Sequence, residues 1–310
     1  MNTTQHIPVL LQEVVEGLQI SKGDTVVDAT FGGGGHAQII LDAVGVEGQV
    51  IGFDRDQSAI IRFQESNTVP ENLVLVHANY SDLRNVLEEK GIRQADAIFA
   101  DLGFSSDQIE APARGLSFLK DGPLDMRLDQ SQQLTAADIV NTYDVSDLAR
   151  VFRSFGDDPE SLKIAKAISR TRSEQPFTTT KHLADFVEAL LPQRKRENTH
   201  AATRIFQALR IAVNQEREHL VRFLESAVDT LATGGRIAII SFHSGEDVIV
   251  KKFFAAAAQA CICPREFPVC RCETKATLRP ISKKGIRPSL AETDQNPRAR
   301  SATLRIAEKI

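Results

Sequence analysis

The chain has 310 residues, of which 42% are hydrophobic and 25% charged, a composition typical of a globular protein of one or two domains. No run approaches the roughly 20 apolar residues needed to cross a bilayer, and the first residues lack the basic start and apolar core of a secretory signal. These features argue against a membrane protein and a secreted one, and they predict a cytoplasmic location with no membrane partner.

The net charge of −4 is unevenly distributed along the chain. Residues 1–112 carry a net charge of −11, residues 113–212 carry +2, and residues 213–310 carry +5. Such asymmetry favours an acidic core with a basic appendage that faces phosphate groups. A solvated basic tail agrees with the charge pattern equally well.

Five short, apolar and β-branched segments predict parallel strands that are covered on both faces. They are residues 25–28, 49–54, 73–77, 97–101 and 236–242. Helical stretches separate them, which predicts an α/β fold with a Rossmann-like, doubly wound sheet. Two last strand-like segments, 276–281 and 301–307, predict an antiparallel C-terminal hairpin.

More than 100 residues separate the fourth strand from the fifth, which is far too long for an ordinary connection. The segment predicts an inserted all-helical domain over residues 113–212, with the first and second parts of the sheet domain over 1–112 and 213–310. Its expected helix boundaries are Ser146 and Gly156 for the first helix, Asp158 and Pro159 at the start of the second, and Thr179 or Thr180 and Pro192 for the third.

The last helix of the insertion has two different faces. Its apolar side chains fall on one arc, and Arg204, Gln207, Arg210 and Asn214 fall on the opposite one. Solvent exposure explains a polar face of this kind. Contact of Arg204 and Arg210 with the phosphates or bases of a nucleic acid is the functional alternative.

Four glycines, 32–35, lie between the first strand and the next helix, where they allow positive φ and close approach to a ligand. Asp54, which ends the second strand, is suited to bind both hydroxyls of a ribose. Asp28 precedes the glycines and suits the charged amino end of S-adenosylmethionine (SAM) better than a pyrophosphate. We therefore expect SAM as the cofactor, with NAD as the alternative.

Polar and aromatic residues also follow the third and fourth strands. The ring of Tyr80 can pack on an adenine, or it can belong to the core. Asp101 ends the fourth strand at the edge where open α/β sheets bind ligands, and Gln108 follows it. Asp101 is thus the main candidate for contact with the reacting group, and Gln108 is a second candidate contact.

Several long blocks resemble the bacterial 16S rRNA cytosine-N4 methyltransferases of the MraW/RsmH type. They include DATFGGGGH, DLGFSSDQIEAPARGLSFLKDGPLDMRLD, HAATRIFQALRIAVNQE and GGRIAIISFHSGEDVIVKKFF, and the similarity spans nearly the whole chain. The resemblance implies a SAM pocket formed by Gly34, Gly35, His36, Asp54, Tyr80, Asp101 and Gln108. It also implies a helical insertion that recognises the substrate, and a target cytosine in the decoding region of 16S rRNA in the small ribosomal subunit.

The implied reaction is direct, in-line attack of the exocyclic N4 amine on the methyl group, with no covalent enzyme intermediate. The amine is a poor nucleophile, so it needs positioning and a hydrogen-bond acceptor. Asp101, helped by nearby backbone carbonyls or by Ser105, is the predicted acceptor, although Asp101 serving only the cofactor is an alternative. The target base has to leave its stack to enter such a pocket.

Two further regions carry candidate substrate contacts. Residues 115–129 are rich in Gly, Pro and Asp and predict an ordered loop over the active site, in which Asp125 and Arg127 bind substrate or form a structural ion pair. His243 ends the fifth strand, where it either touches substrate or has a structural role. A monomer and a homodimer are both compatible with the sequence.

All four cysteines cluster as Cys261, Cys263, Cys270 and Cys272. A cytoplasmic setting disfavours disulfides. Four thiolates can bind zinc, but the C-x-C spacing is tighter than the usual C-x-x-C of zinc sites. Reduced thiols without metal are the alternative.

Rival functions are an NAD-dependent oxidoreductase, an RNA-binding module without catalysis and a DNA amino-methyltransferase. The position of Asp28 disfavours the first, and the full set of glycines and strand-end acids disfavours the second. The third lacks its usual Pro-Pro motif after the fourth strand, where this chain has DLGFSS.

Overall fold

The computed structural model describes residues 8–104, 108–109, 111–192, 200–264, 271–282 and 284–310. The chain divides into two compact units. We call Met1–Gly103 with Arg217–Ile310 the sheet unit, and Phe104–Glu216 the helical unit. The insertion predicted over 113–212 falls inside the helical unit. In the described part of the chain, every helix is too short or too polar to cross a membrane.

The described strands of the sheet unit form one sheet in the order β3-β2-β1-β4-β5-β7-β6. They are β1 Thr25–Asp28, β2 Gln49–Asp54, β3 Leu73–His77, β4 Ala95–Asp101, β5 Leu231–Ser241, β6 Leu278–Pro280 and β7 Thr303–Lys309. Strands β1 to β5 pair in parallel, whereas β7 runs antiparallel to both β5 and β6. The predicted Rossmann-like sheet and its antiparallel C-terminal hairpin are therefore confirmed.

The helices of the described residues, in chain order, are α1 Leu11–Leu18, α2 Gly35–Val44, α3 Gln57–Ser66, α4 Leu83–Glu89, α5 Ala136–Thr142, α6 Val145–Gly156, α7 Ser161–Thr171, α8 Thr180–Leu190, α9 Thr203–Val213, α10 Glu216–Thr230, α11 Ser244–Ala257 and α12 Leu290–Gln295.

The sheet is buried on both faces, which explains why its strands are continuously apolar. Because side chains alternate along a strand, Val26 and Val50 pack into one core cluster while Val27 and Ile51 pack into another. All four are fully buried. In β1, β2 and β4, burial on both sides leaves polar residues only at or next to the strand ends, and this places their acids at the edge of the sheet.

The helical unit has an apolar core of its own, built from α5 to α9. Its helix ends differ slightly from those expected. Asp144, and not Ser146, caps α6, because its side chain accepts the Asp147 N–H at 2.8 Å. Helix α6 continues through Gly156 and ends at Asp157, where φ is 48°.

The start of α7 differs from the sequence prediction, whereas the start of α8 agrees with it. Helix α7 starts at Ser161, because Asp158 accepts the Glu160 N–H at 2.9 Å in a turn before it. Thr179 caps α8, as one of the two predicted alternatives, by accepting the His182 N–H.

Candidate active site

Three carboxylates lie at one edge of the sheet. Asp28 ends β1, Asp54 ends β2, and Asp101 ends β4. Strand β1 lies between β2 and β4, and all three run in parallel, so their carboxyl ends meet at the same edge. This is the position at which open α/β sheets bind ligands.

The glycine turn between β1 and α2 leaves part of its backbone open. Gly32 and Gly34 have positive φ values of 55° and 79°. A Cβ at Gly34 would lie 2.6 Å from Cε2 of Phe63, whereas a Cβ at Gly33 would meet no atom of the described residues within 4 Å. Gly34 is therefore required by the fold, and the turn borders open space at Gly33, where a ligand can approach the backbone.

Asp54 is fixed by two backbone hydrogen bonds. Its Oδ2 accepts the Gly32 N–H and its Oδ1 accepts the Asp56 N–H, each at 2.8 Å. Burial raises the pKa of Asp54, and these two N–H groups oppose that rise. Each carboxylate oxygen has a second lone pair, so Asp54 remains able to accept the two hydroxyls of a ribose.

Asp28 and Asp101 are held together through Thr30. The Thr30 N–H donates to Asp28 Oδ1 at 3.1 Å, and Thr30 Oγ1 accepts the Asp101 N–H at 2.6 Å. Burial raises the pKa of Asp28 to about 7. Burial raises the pKa of Asp101 well above its usual value too, and the charges of Asp28 and Glu246 add to this.

One oxygen of Asp101 is available for a ligand. Asp101 Oδ1 is buried and has no hydrogen-bond partner among the described residues. A buried oxygen of this kind is costly unless a donor reaches it. Together with the charge on Asp28, it makes this edge a place that favours a cation with N–H donors, which fits the charged amino end of SAM.

His36 and Tyr80 also belong to the sheet unit, and both side chains contact other protein residues. His36 is buried, with Nε2 3.0 Å from the Val9 carbonyl oxygen and Nδ1 3.8 Å from Asp101 Oδ2. Because a carbonyl oxygen can only accept, Nε2 is the donor in the contact with Val9. Tyr80 packs edge-on against Phe223 at 5.1 Å and is only partly buried.

A family model described as the MraW methylase family matches residues 3–310. The chain belongs to the MraW methylase family. This membership confirms the predicted recognition, and with it the methyltransferase fold and SAM as the cofactor.

The family assignment agrees with curated relatives along the whole chain. A protein named ribosomal RNA small subunit methyltransferase H from Thermomicrobium roseum is 46% identical over 309 residues, which is 99% of this chain and 94% of that relative. Proteins of the same name are 46% identical in Syntrophobacter fumaroxidans, over 98% and 96% of the two chains, and 44% identical in Trichlorobacter lovleyi, over 100% of both.

In this MraW-family chain, His243 has a structural contact at the end of β5. It caps α11 by accepting the Glu246 N–H on Nδ1 at 3.4 Å, and its Nε2 lies 3.3 Å from Glu246 Oε1. Sequence reasoning missed Glu246, which is buried, accepts the Phe242 N–H at 3.0 Å and raises the pKa of Asp101. An acid three residues after the helix cap was the signal that could have identified it.

Asp125 and Arg127 form an ion pair within the helical unit. Arg127 Nε and Nη2 donate to the two Asp125 oxygens at 2.8 and 2.7 Å, and Nη1 donates to the Gln132 carbonyl at 2.6 Å. Burial raises the pKa of Asp125, but the bonds from Arg127 outweigh it and leave the pKa below its usual value. Their contacts are thus those of the structural ion pair that the sequence also allowed, and substrate binding by the pair stays a prediction.

The polar arc of α9 is divided between different environments. Arg204 is exposed, whereas Arg210 is half-buried, pairs with Glu216 at 3.0 Å and lies 4.4 Å over the ring of Phe104. Asn214 is buried and is not part of a solvent-exposed face. It accepts the Leu128 N–H and donates to the Met126 carbonyl, both at 2.8 Å.

Three further residues that the sequence singled out are Gln108, Ser105 and Cys270. Gln108 is buried and belongs to the helical unit, so its predicted contact with SAM stays a prediction. Ser105 and Cys270 lie outside the described residues.

Sequence reasoning also missed an exposed basic row on α7, formed by Lys163, Lys166 and Arg170. Their spacing of three and four residues was the available signal.

Proposed function

We propose that this methylase transfers a methyl group from SAM to the exocyclic N4 amine of a cytosine in the decoding region of 16S rRNA, in the bacterial cytoplasm. The observation that carries this proposal is the buried Oδ1 of Asp101 at the carboxyl edge of the sheet, beside Asp28 and the open glycine turn. The rRNA substrate is supported by the relatives, which are named ribosomal RNA small subunit methyltransferase H.

The residues at the sheet edge fit the proposed cofactor by charge and by hydrogen bonding. Asp28 and Asp101 would hold its charged amino end, Asp54 would accept the ribose hydroxyls, and Tyr80 would contact the adenine. When bound, SAM supplies a methyl group on a positively charged sulfur. The backbone at Gly33 is open with respect to the described residues, which leaves room for such a ligand.

Asp101 then has a specific task toward the cytosine amine. The lone pair of this amine is delocalised into the ring, so attack requires an acceptor that fixes one N–H bond and takes the proton afterwards. Asp101 Oδ1 is a buried acceptor, and a nearby cation favours the ionised carboxylate that can act in this way. Binding and orientation account for the rest of the rate, so a nucleophilic side chain is not required.

The Asp101→Asn variant tests this task. It keeps the size and one acceptor oxygen of the side chain but removes its charge and its ability to take a proton. We expect kcat at saturating SAM to fall by about 10²- to 10⁴-fold. Kd for SAM, measured by calorimetry, should rise as well, because Asp101 would also hold the amino end of the cofactor. Full turnover, or a loss confined to SAM affinity, would show that Asp101 serves only the cofactor.

Asp96→Asn is the matched control, because Asp96 lies on the same strand but near its amino end. Asp96 Oδ2 accepts the Thr25 N–H at 2.8 Å, and asparagine retains that acceptor. We expect this control to keep normal turnover.

The proposed RNA contacts lie on the helical unit. Its α7 presents Lys163, Lys166 and Arg170 to solvent, and Arg204 of α9 is exposed as well. Exposed cations at this spacing are suited to successive backbone phosphates, which supply most of the sequence-independent affinity for RNA. Arg210 is engaged by Glu216 and Phe104, so we assign it to positioning within the unit.

A further inference from the structure

Three cysteine sulfurs converge in the segment that follows α11. The Sγ atoms of Cys261, Cys263 and Cys272 all lie within 4.8 Å of one another, and those of Cys261 and Cys272 are 3.7 Å apart. Zinc–sulfur bonds of about 2.3 Å in tetrahedral geometry place two sulfurs roughly 3.8 Å apart. A disulfide requires about 2.05 Å, so the sulfurs are spaced as metal ligands and are not bonded to each other.

Backbone N–H groups point at these sulfurs. Cys261 Sγ accepts the Cys263 N–H at 3.4 Å, and Cys272 Sγ accepts the Ile262 N–H at 3.3 Å. Cys263 Sγ accepts two, from Arg271 and Cys272, each at 3.2 Å. Donors around a metal site orient its ligand atoms, and these N–H groups hold the three sulfurs in place in the same way.

The segment that carries the cysteines lacks an apolar core. None of the described residues between Phe254 and Leu278 is buried, and Ile262 is 65% exposed. The segment is closed at its base, where the Thr277 N–H donates to the Ala257 carbonyl at 2.8 Å. Hydrophobic burial therefore does not explain the convergence of three sulfurs beyond that point, whereas a bound metal would.

We propose that the thiolates of Cys261, Cys263 and Cys272 bind one zinc ion, which fixes the segment between α11 and β6. Borderline-soft Zn²⁺ prefers sulfur and nitrogen ligands, and sulfur is what the site offers. Binding converts three thiols into thiolates and releases three protons, and no oxidation takes place. We assign the zinc a structural role, because the cysteines follow the carboxyl end of α11, a helix of 14 residues and about 21 Å, whereas β5 ends just before its amino end.

Metal content and ligand type of the full-length chain test this proposal. After purification without chelators, we expect about one zinc per chain by plasma mass spectrometry. Exchange with cobalt(II) should give the visible bands of tetrahedral cobalt and a near-ultraviolet thiolate-to-cobalt band. X-ray absorption should count at least three sulfur neighbours. The chain contains four cysteines in all, so these signals can arise only from this cluster.

Variants connect the metal to the named residues. Cys261→Ser together with Cys272→Ser should abolish the zinc and the cobalt spectrum. Ile262→Ala is the matched control, because it changes the exposed side chain between two ligands and leaves every thiol and N–H donor in place. A chelator should lower the Tm of the wild type and of Ile262→Ala, and it should leave the double variant unaffected.

Several results would overturn the proposal. They are a wild-type chain without zinc after reconstitution, cobalt bound through oxygen only, a mass two hydrogens lower that indicates a disulfide, or tightly bound iron or copper in place of zinc. The wild-type measurements decide the matter even if the double variant does not fold. Loss of methyl transfer with an intact zinc site would contradict the proposed function and not this site.

Discussion

At the scale of single residues, burial governs the chemistry of the sheet edge. Asp28 is 1% exposed, and its pKa of about 7 means that a proton or a cation must accompany it there. The same desolvation acts on Asp101, where Asp28 and Glu246 add repulsion. A cationic ligand relieves these costs, which explains why acids are placed at a buried position.

The raised pKa of Asp28 leads to a prediction about stability. Because the folded pKa of about 7 exceeds the unfolded value of 3.8, the native state binds more protons between these values. The free energy of unfolding of the ligand-free protein should therefore fall as pH rises from about 4 to 8, by up to about 4 kcal/mol from this group. Asp28→Asn should remove that part of the slope.

Urea unfolding at pH 5 and pH 8 measures this contribution. Asparagine keeps the acceptor for the Thr30 N–H, so the variant changes the titration and not the hydrogen bond. Asp96→Asn serves again as the control and should retain the wild-type slope. Equal slopes in Asp28→Asn and the wild type would contradict the account.

Gly33 gives a second prediction, about the open side of the turn. A Cβ there meets no atom within 4 Å in the part of the chain that the structure describes, so Gly33→Ala should change the free energy of unfolding by less than about 0.5 kcal/mol. The added methyl group would occupy the space proposed for the cofactor. Affinity for SAM should therefore fall at least about tenfold in calorimetry, a loss of about 1.4 kcal/mol.

Gly35→Ala is the contrasting variant. Its Cβ would lie 2.7 Å from Cγ of Pro8, so we expect lost stability. Unchanged SAM affinity in Gly33→Ala would show that the cofactor does not approach the turn at this point.

The sequence predicted those site residues that lie at the ends of strands. Asp28, Asp54 and Asp101 each close a strand, so the order of the elements alone brings them to one edge. The roles of Thr30 and Glu246 beside Asp101 were missed, because the hydrogen bond with Thr30 and the charge of Glu246 act on Asp101 from elements far apart in the chain. Contacts of this kind depend on the packed geometry and leave no periodic signal.

At the scale of elements, the strands were predicted well and the helix ends less well. A buried strand has a strong signal in its apolar run, whereas Asp144 and Ser146 are both good caps and only the local backbone decides between them. The polar arc of α9 shows another limit. Asn214 lies on that arc, yet it is buried because the backbone of Met126 and Leu128 supplies partners for its amide.

The exposed cations of helix α7 lead to a prediction about RNA binding. Reversing its three exposed cations, in Lys163→Glu, Lys166→Glu and Arg170→Glu together, should weaken binding to 16S rRNA. Each lost phosphate contact reduces the slope of log K against log[salt] by about 0.7, so we expect a decrease of roughly 2 if all three contact phosphates. Fluorescence anisotropy at several salt concentrations measures the slope.

A control with the same change in net charge uses three cations of the sheet unit. Lys22, Lys90 and Arg93 are exposed and precede β1 and β4, so they lie toward the amino ends of the strands. Their reversal should leave most of the slope intact. Equal losses in the two triple variants would indicate an effect of total charge and would contradict a specific surface on α7.

At the scale of the whole molecule, the fold and the substrate rest on different grounds. The alternation of strands and helices predicts the sheet, and its ligand edge follows from topology. The choice of a cytosine in rRNA follows from no feature of the sheet, because one fold hosts many activities. It comes from the resemblance of long sequence blocks and is supported by the names of the relatives.

The most direct test is methyl transfer from labelled SAM to small ribosomal subunits that lack the modification, with the modified nucleoside identified by mass spectrometry. The account predicts N4-methylcytidine at one position in the decoding region of 16S rRNA, with transfer lost in Asp101→Asn. Label on another base or another atom, or no transfer despite measurable SAM binding, would contradict the proposed substrate.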